Sequence, residues 1–365
     1  MPSSTKVNST PRPDLQAVDE LCANAGLVRS RRGKPAGVAA SQRAASQRME
    51  SAESPSLPAA LPLVAANGVH WLPLPQLARP GRAKLEWLMG GFSTRLGGFS
   101  RAYCDQDAPG ELNLGFTASD ERETVLDNRR LFVQAVGGRA ATPLVTLRQI
   151  HSNLLVKAAR PDARRQPPRQ GDALMTDQPG LLLGIQTADC IPVLVADRKR
   201  RVVAAFHAGW RGTVARIVES GIGRLRLEYG CQPEHLIAAI GPGIGPCCYA
   251  VGEEMIEAFE SQFAYARSLF HEVCDSDSIR RKYPMLFLTQ RAPGHSPLGP
   301  SLHLDLIQAN RRQLLDAGLK ENAIQTLGGC TCCQQRTFFS HRGSQGHAGR
   351  MLSVIGIRPE AANRR

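Results

Sequence analysis

Aromatic side chains are scarce in this chain: 11 Phe, 5 Tyr and 3 Trp make up 5% of its 365 residues. They form no run of the kind that stacks unpaired bases, and neither finger-type zinc spacing nor a concentrated Lys/Arg stripe is present. Sequence-specific nucleic-acid binding is therefore not expected. Long apolar runs are also missing, since charge or glycine interrupts each one before it could span a bilayer. No apolar segment follows the first basic residues, so neither a membrane partner nor export is expected. A fixed-period repeat is absent, which excludes solenoids and propellers.

What is there belongs to an ordinary globular protein. Hydrophobic residues reach 42% and charged ones 21%, enough apolar content to exclude disorder throughout. The formal charge is +13, and the first fifty residues hold eight basic against four acidic groups. The remainder is spread thinly, a solvated basic surface that also attracts small anions. Ten cysteines in a chain too large to need stapling read as thiols, metal ligands or nucleophiles in a reducing, cytoplasmic compartment.

Residues 1–80 are rich in Ser, Ala, Pro and Arg and, apart from a short helix-like segment around Leu15 to Leu27, carry no periodicity. They read as a low-complexity, disordered extension. Residues 81–365 read as one compact α/β domain. Strands are predicted at Glu86 to Met89, Leu144 to Leu147, Leu154 to Ala158, Leu181 to Thr187, Val193 to Asp197, Val202 to His207, Leu236 to Ile240 and Leu352 to Ile357. Helices are predicted at Asp120 to Val136, Arg211 to Tyr229, Gly252 to Phe263 and Leu304 to Ala317. Strands such as LLLGIQT and RVVAAF are apolar at consecutive positions, so both faces of their sheets should be covered.

Three motifs place a metal-competent side chain where a strand runs into a loop: RQIHS with His151, QTADC with Cys190, and FHAGWRG with His207. The spacings of 39 and 17 residues are not those of a zinc knuckle; ligands gathered from separate strand ends suit a catalytic metal, zinc or, more loosely, copper. Each residue alone also fits a structural role. In HAGWRG, Gly209 and Gly212 allow a close turn into the helix expected from Arg211, where an anion could bind. The loop IGPGIGPCCY has glycines but neither Walker A nor dinucleotide spacing, and reads as a pocket wall. Near the C-terminus, Cys330, Cys332 and Cys333 are too close together for tetrahedral geometry unless partners come from elsewhere, and read as buried thiols. Arg342 and Arg350 could face an anionic ligand, and STRLGGFS and ELNLG put Arg95, Ser100 and Asn113 in glycine-rich loops. Cys190 with either histidine could instead be a nucleophile and base.

Taken in order, STRLGGFS, LNLG, DNRRLF, QIHS, TADCIPVLVAD, VAAFHAGWRG, AAIGPGIGPCCYAVG, CTCC, FFSHR and GRMLS resemble the laccase-domain proteins, also called multicopper polyphenol oxidase-like or peptidoglycan editing factor proteins. The likeness runs from about Leu85 to Ile357. It implies a four-layer α/β/β/α sandwich and a zinc site at His151, Cys190 and His207. It also implies phosphorolysis of adenosine, inosine and methylthioadenosine together with adenosine deamination. A laccase activity would require several coppers, and the His-x-His clusters that bind them are missing. The loop RAYCDQDAPGE, which contains Tyr103, departs from the family's shorter turn. For deamination Asp189 is the candidate proton carrier; for phosphorolysis Arg95, Arg211 and Arg342 are the candidate phosphate holders, with Asn113 nearby. The competing readings are a thiol hydrolase editing peptidoglycan precursors through Cys190, and a binding protein recruited by its basic N-terminal arm.

Overall fold

The computed structural model describes residues 61–74, 85–104, 108–273 and 301–359. Fifteen strands lie among them: β1 (Leu63–Val64), β2 (His70–Pro73), β3 (Leu88–Ser93), β4 (Leu96–Ser100), β5 (Leu144–Thr146), β6 (Leu155–Lys157), β7 (Ala173–Thr176), β8 (Leu181–Thr187), β9 (Ile191–Asp197), β10 (Val202–Ala208), β11 (Leu236–Ile240), β12 (Phe270–Val273), β13 (Ser301–Leu304), β14 (Ile324–Thr326) and β15 (Met351–Ile357). The α-helices are α1 (Arg122–Ala135), α2 (Trp210–Val214), α3 (Ile217–Tyr229), α4 (Glu254–Glu260) and α5 (Leu306–Asp316).

Two six-stranded sheets run in the orders β1-β2-β3-β15-β8-β5 and β14-β11-β9-β10-β7-β6, and β12 pairs with β13 in a separate ribbon. The side-chain period of two sorts each strand between two cores. In β9, Leu194 and Ala196 face the other sheet, while Val193 and Val195 face helices. In β8, Leu181, Leu183 and Ile185 join the inter-sheet core, and Leu182 points to α1 with Phe132 and Val133. α3, α4 and α5 cover the second sheet with Ile222, Phe259 and Leu314. The layers are thus α1, first sheet, second sheet, and the α3/α4/α5 group: the α/β/β/α sandwich that the resemblance implies, with the covered faces that the apolar strands require.

Several boundaries differ from the sequence reading. β1 and β2 lie within the span read as extension, and β2 pairs with β3, burying Leu72; the rest of that span up to residue 60 lies outside the described residues. STRLGGFS is no free loop: it ends β3 and forms β4, bridged to Glu111. Ser301–Leu304 pairs with β12, so α5 starts later, where Asp305 accepts from the Gln308 N–H at 2.8 Å. The single helix expected from Arg211 to Tyr229 breaks at Arg216, which is left-handed at φ 55°. The carbonyls released there are taken by side chains from afar: Gln313 donates to Thr213 O (2.8 Å) and Asn153 to Ala215 O (3.1 Å). α3 lies flush on the sheet because position 221 is glycine; a Cβ there would sit 2.1 Å from the Phe206 ring.

Candidate active site

Cys190 immediately precedes β9, and His207 stands near the end of β10, where its Cα partner across the ladder is Pro192. Antiparallel pairing of these neighbours therefore brings the thiol and one imidazole to the same end of the second sheet. His151 arrives from the turn between β5 and β6. One donor atom from each of the three lies within 4.8 Å of the others, and the two imidazole rings meet edge-on, 5.0 Å apart at 68°. Position 209 must be small here: a Cβ on Gly209 would lie 3.0 Å from Cys190 Sγ and 3.1 Å from His151 Cδ2.

The organiser of the cluster is Asp172, a fully buried residue just before β7. Its carboxylate accepts from the N–H groups of Ile150 (3.3 Å), His151 (3.0 Å) and Ser152 (2.6 Å), from the Ser152 hydroxyl (2.7 Å), and pairs with His207 Nδ1 at 2.8 Å. These bonds hold His151 in a left-handed conformation, φ 59°, that its side chain would not choose alone. They also occupy Nδ1 of His207 and leave Nε2 as its ligand atom. Sequence reasoning missed Asp172; the available signal was a lone carboxylate abutting the apolar strand ALMT, in a position that becomes buried.

The electrostatics follow. Burial raises the Asp172 pKa, yet the hydrogen bonds from His207 and Ser152 outweigh it and bring the carboxyl down to about 2. Burial opposes ionisation of the Cys190 thiol too, but the His207 charge and hydrogen bonds from both histidines pull it down to about 6. His207, against the opposing effect of burial, is lifted to about 9 by Cys190 and Asp172. A thiolate with two imidazoles is a donor set that fits zinc, a borderline-soft cation, and leaves a fourth tetrahedral position for a ligand.

This cluster opens into a cleft of about 720 Å³ whose other walls include Ile244, Tyr249, His341, Arg342 and Arg350, with Arg148 also lining it. Asp189 lines it as well, left-handed at φ 94°, with Oδ1 accepting from Thr331 Oγ (2.6 Å) and Oδ2 from the Arg342 N–H (2.6 Å). Arg342 reaches the Ala250 carbonyl (3.0 Å), and Arg350 reaches those of Ala348 (2.6 Å) and Gly349 (3.0 Å). Burial and the nearby Cys190 charge push the Tyr249 phenol up to about 12, which keeps it a donor. A second hollow of about 540 Å³ adjoins the cleft, shares Phe116 and Arg148 with it and adds Arg122, Arg129 and Arg165.

Of the residues named from sequence, His151, Cys190, His207, Asp189, Arg342 and Arg350 meet at this cleft. Arg95 and Asn113 do not line it. Arg95 is spent on an ion pair with Glu111 (2.5 Å) and on the carbonyls of Gln335 and Tyr103. Asn113 is fully buried, its amide donating to Gly115 O and Asp120 while its oxygen accepts from the N–H groups of Gly115 and Arg350. Arg211 is exposed and stacks on Trp210 at 4.4 Å; α2, at five residues, is too short to make a helix-terminal anion site there. Tyr103 does not line the cleft; it packs on Phe339 and His347 and bonds the hydroxyl of Thr117, which does. Among the described residues no helix is long and apolar enough to cross a membrane.

Residues 89–358 match the family described as multi-copper polyphenol oxidoreductase laccase. A Deinococcus radiodurans protein named purine nucleoside phosphorylase is 34% identical over 293 residues, 80% of this chain and 94% of that protein. A protein from an unknown prokaryotic organism, named adenosine deaminase RL5, is 30% identical over 250 residues, covering 67% of this chain and 86% of its own length. The crystal structure of YlmD from Geobacillus stearothermophilus matches with a TM-score of 0.62 and 28% identity, over 82% of this chain and 99% of that one. With its sandwich and its strand-end motifs matched over most of its length, the chain belongs to the multi-copper polyphenol oxidoreductase laccase family.

Proposed function

We propose that this protein is a cytoplasmic purine nucleoside phosphorylase acting on adenosine, inosine and S-methyl-5'-thioadenosine, with adenosine deamination in the same cleft. The metal, zinc ahead of copper, would be held by His151, Cys190 and His207. The observation that carries the reading is one cleft joining this donor set to the guanidinium groups of Arg342 and Arg350. The names of the relatives, phosphorylase and deaminase, agree with it.

Zinc at these donors would supply Lewis acidity and positive charge beside the bound substrate. The protein's own groups do the rest. Arg342 and Arg350 hold phosphate, each tied to neutral carbonyls that orient the guanidinium without cancelling its charge. A phosphate oxygen then bonds to the ribose C1', the glycosidic C–N bond breaks, its electron pair leaves with the purine, and the proton that the phosphate gives up ends on the purine nitrogen. In deamination a water oxygen bonds to C6 and the C6 amino group leaves as ammonia. Asp189 takes the proton from the water and returns it to the leaving amine; each of its oxygens keeps a second lone pair beyond the protein hydrogen bond it accepts. The Tyr249 phenol donates a hydrogen bond to the substrate.

One observation favours a second reading: Cys190, His207 and Asp172 are also ordered as a nucleophile, its base and the base's orienter. The test is an assay of purified, metal-quantified protein with adenosine and inosine, with and without phosphate, following free base and ammonia. Phosphate-dependent base release that falls with chelation and vanishes in Cys190→Ala is expected. Full activity in metal-free protein would overturn the proposal, and activity indifferent to chelators on an amide substrate would establish the thiol hydrolase.

A further inference from the structure

Two segments that wall the cleft carry cysteines which the cleft does not use. Cys247 and Cys248 end the loop IGPGIGPCC, and Cys330 and Cys333 form a C-x-x-C pair in GGCTCC. From sequence Cys330, Cys332 and Cys333 read as buried thiols, too close together for tetrahedral geometry unless partners come from elsewhere; the fold leaves Cys333 exposed and Cys330 and Cys332 half-buried, and brings Cys247 and Cys248 beside Cys330 and Cys333. The Sγ atoms of Cys247, Cys248, Cys330 and Cys333 all lie within 4.8 Å of one another. Cys247 Sγ and Cys248 Sγ each stand 3.4 Å from Cys333 Sγ, and all four are free thiols.

These separations are far from a disulfide bond and close to the edges of a metal-centred tetrahedron. A zinc–sulfur bond of about 2.3 Å places neighbouring sulfurs about 3.8 Å apart. Cys332, whose side chain is not among these four, is left out of the set.

The position gives such a site a task. Thr331 N–H donates to Gly243 O at 3.0 Å, and Gly243 and Cys330 pair as an isolated bridge. The same two segments present Ile244 and Tyr249 from one side and His341 and Arg342 from the other to the cleft. We propose that Cys247, Cys248, Cys330 and Cys333 form a tetrathiolate site for a thiophilic, tetrahedral divalent metal, zinc first. This site is separate from His151, Cys190 and His207, and it pins the loop after β11 to the C-terminal segment. Four sulfur donors with no imidazole make it a closed structural site with no open coordination position.

The test uses the full chain purified without oxygen. Metal analysis should find two equivalents of zinc per chain, one of which remains in Cys190→Ala. Cobalt loaded into Cys190→Ala should give the intense sulfur-to-cobalt charge-transfer and tetrahedral ligand-field bands of a thiolate-rich site. Those bands should be lost when Cys247→Ser and Cys333→Ser are added. Should that variant fold poorly, the cobalt spectrum of Cys190→Ala alone decides the matter. A single equivalent of zinc that disappears in Cys190→Ala, a cobalt form without charge-transfer intensity, or disulfides among the four cysteines in unreduced peptides would each overturn the proposal.

Discussion

The two sheets contribute opposite kinds of group to the cleft. The second sheet brings Cys190 ahead of β9 and His207 on β10; the first brings Arg148 beyond β5 and Arg350 ahead of β15. On the second sheet one buried anion, Asp172, orders the donors and fixes a ring tautomer. On the first sheet neutral carbonyls order the Arg350 guanidinium. A ligand set benefits from a fixed negative neighbour, because that raises imidazole basicity. An anion-binding arginine benefits from a neighbour that leaves its charge uncancelled, and Arg95, paired with Glu111, is the counter-example within the same molecule.

The sharpest way to break the second-sheet side is to remove its donors or their organiser. Cys190→Ala or His207→Ala should remove the metal equivalent held by His151, Cys190 and His207, leave the equivalent at the four-cysteine site, and abolish turnover, as measured by metal analysis of the purified variant and by base release. Asp172→Asn keeps all three donors but gives up the buried carboxylate, and should lower metal affinity and activity by roughly 10–100-fold. Wild-type affinity in Asp172→Asn would mean that the sheet alone positions the histidines.

On the first-sheet side the prediction separates two classes of arginine. Arg350→Ala and Arg342→Ala should each raise KM for phosphate by about tenfold or more, corresponding to about 1.4 kcal/mol, with little change in KM for the nucleoside. Arg95→Ala should leave KM for phosphate unaltered and lower Tm instead, because it removes an ion pair between two nearly buried side chains. A raised phosphate KM in Arg95→Ala with an unchanged Tm would erase the distinction.

This contrast also marks how far the sequence could be read. The apolar strands were legible because burial on both faces leaves consecutive Val, Ile and Leu, as in LLLGIQT; Cys190 and His207 adjoin or end such strands, whereas His151 sits in the middle of the β5–β6 connection and is brought to them by Asp172. What decides between Arg95 and Arg350 is the partner each one meets, Glu111 in one case and two carbonyls in the other, and neither partner is set by local pattern. The break at Arg216 was hidden for the same reason: it depends on Gln313 and Asn153, far away along the chain. Asp172 was hidden because one carboxylate before a strand looks like any solvated turn residue. The proximity of Cys330 and Cys333 to Cys247 and Cys248 is not legible either, because helices and strands separate the two pairs along the chain and spacing alone gives the C-terminal thiols poor tetrahedral geometry.

Asn113 offers a smaller test. Its motif, LNLG, invites a substrate role, yet all of its hydrogen-bonding capacity is used inside the protein. Asn113→Ala should cost about 1–3 kcal/mol in denaturant unfolding, the penalty for stranding buried N–H groups, without altering either KM at temperatures where the variant stays folded. A KM effect at undiminished stability would return Asn113 to the binding surface.

The smallest effect is on stability with pH, and its smallness is itself a prediction for the chelated protein. Cys190 is depressed to about 6 from 9.0, so taken alone it would add stability above pH 9 that fades as pH falls to 6. His207 is raised to about 9 from 6.5, so taken alone it would add stability below pH 6.5 that fades as pH rises to 9. Between those limits the two slopes cancel. The unfolded pair carries one proton on sulfur and the folded pair carries one on imidazole, so folding takes up no protons and Tm gains no slope from this pair. Reactivity, which follows the thiolate itself, does report the transfer. Alkylation of Cys190 by iodoacetamide, mapped by peptide mass spectrometry, should be half-maximal near pH 6, whereas Cys231, whose thiol burial pushes up to about 12, should stay unmodified in the folded protein. A Cys190 midpoint near 9 would mean that the thiol and imidazole do not exchange the proton, and that the second sheet prepares its ligands only when the metal arrives.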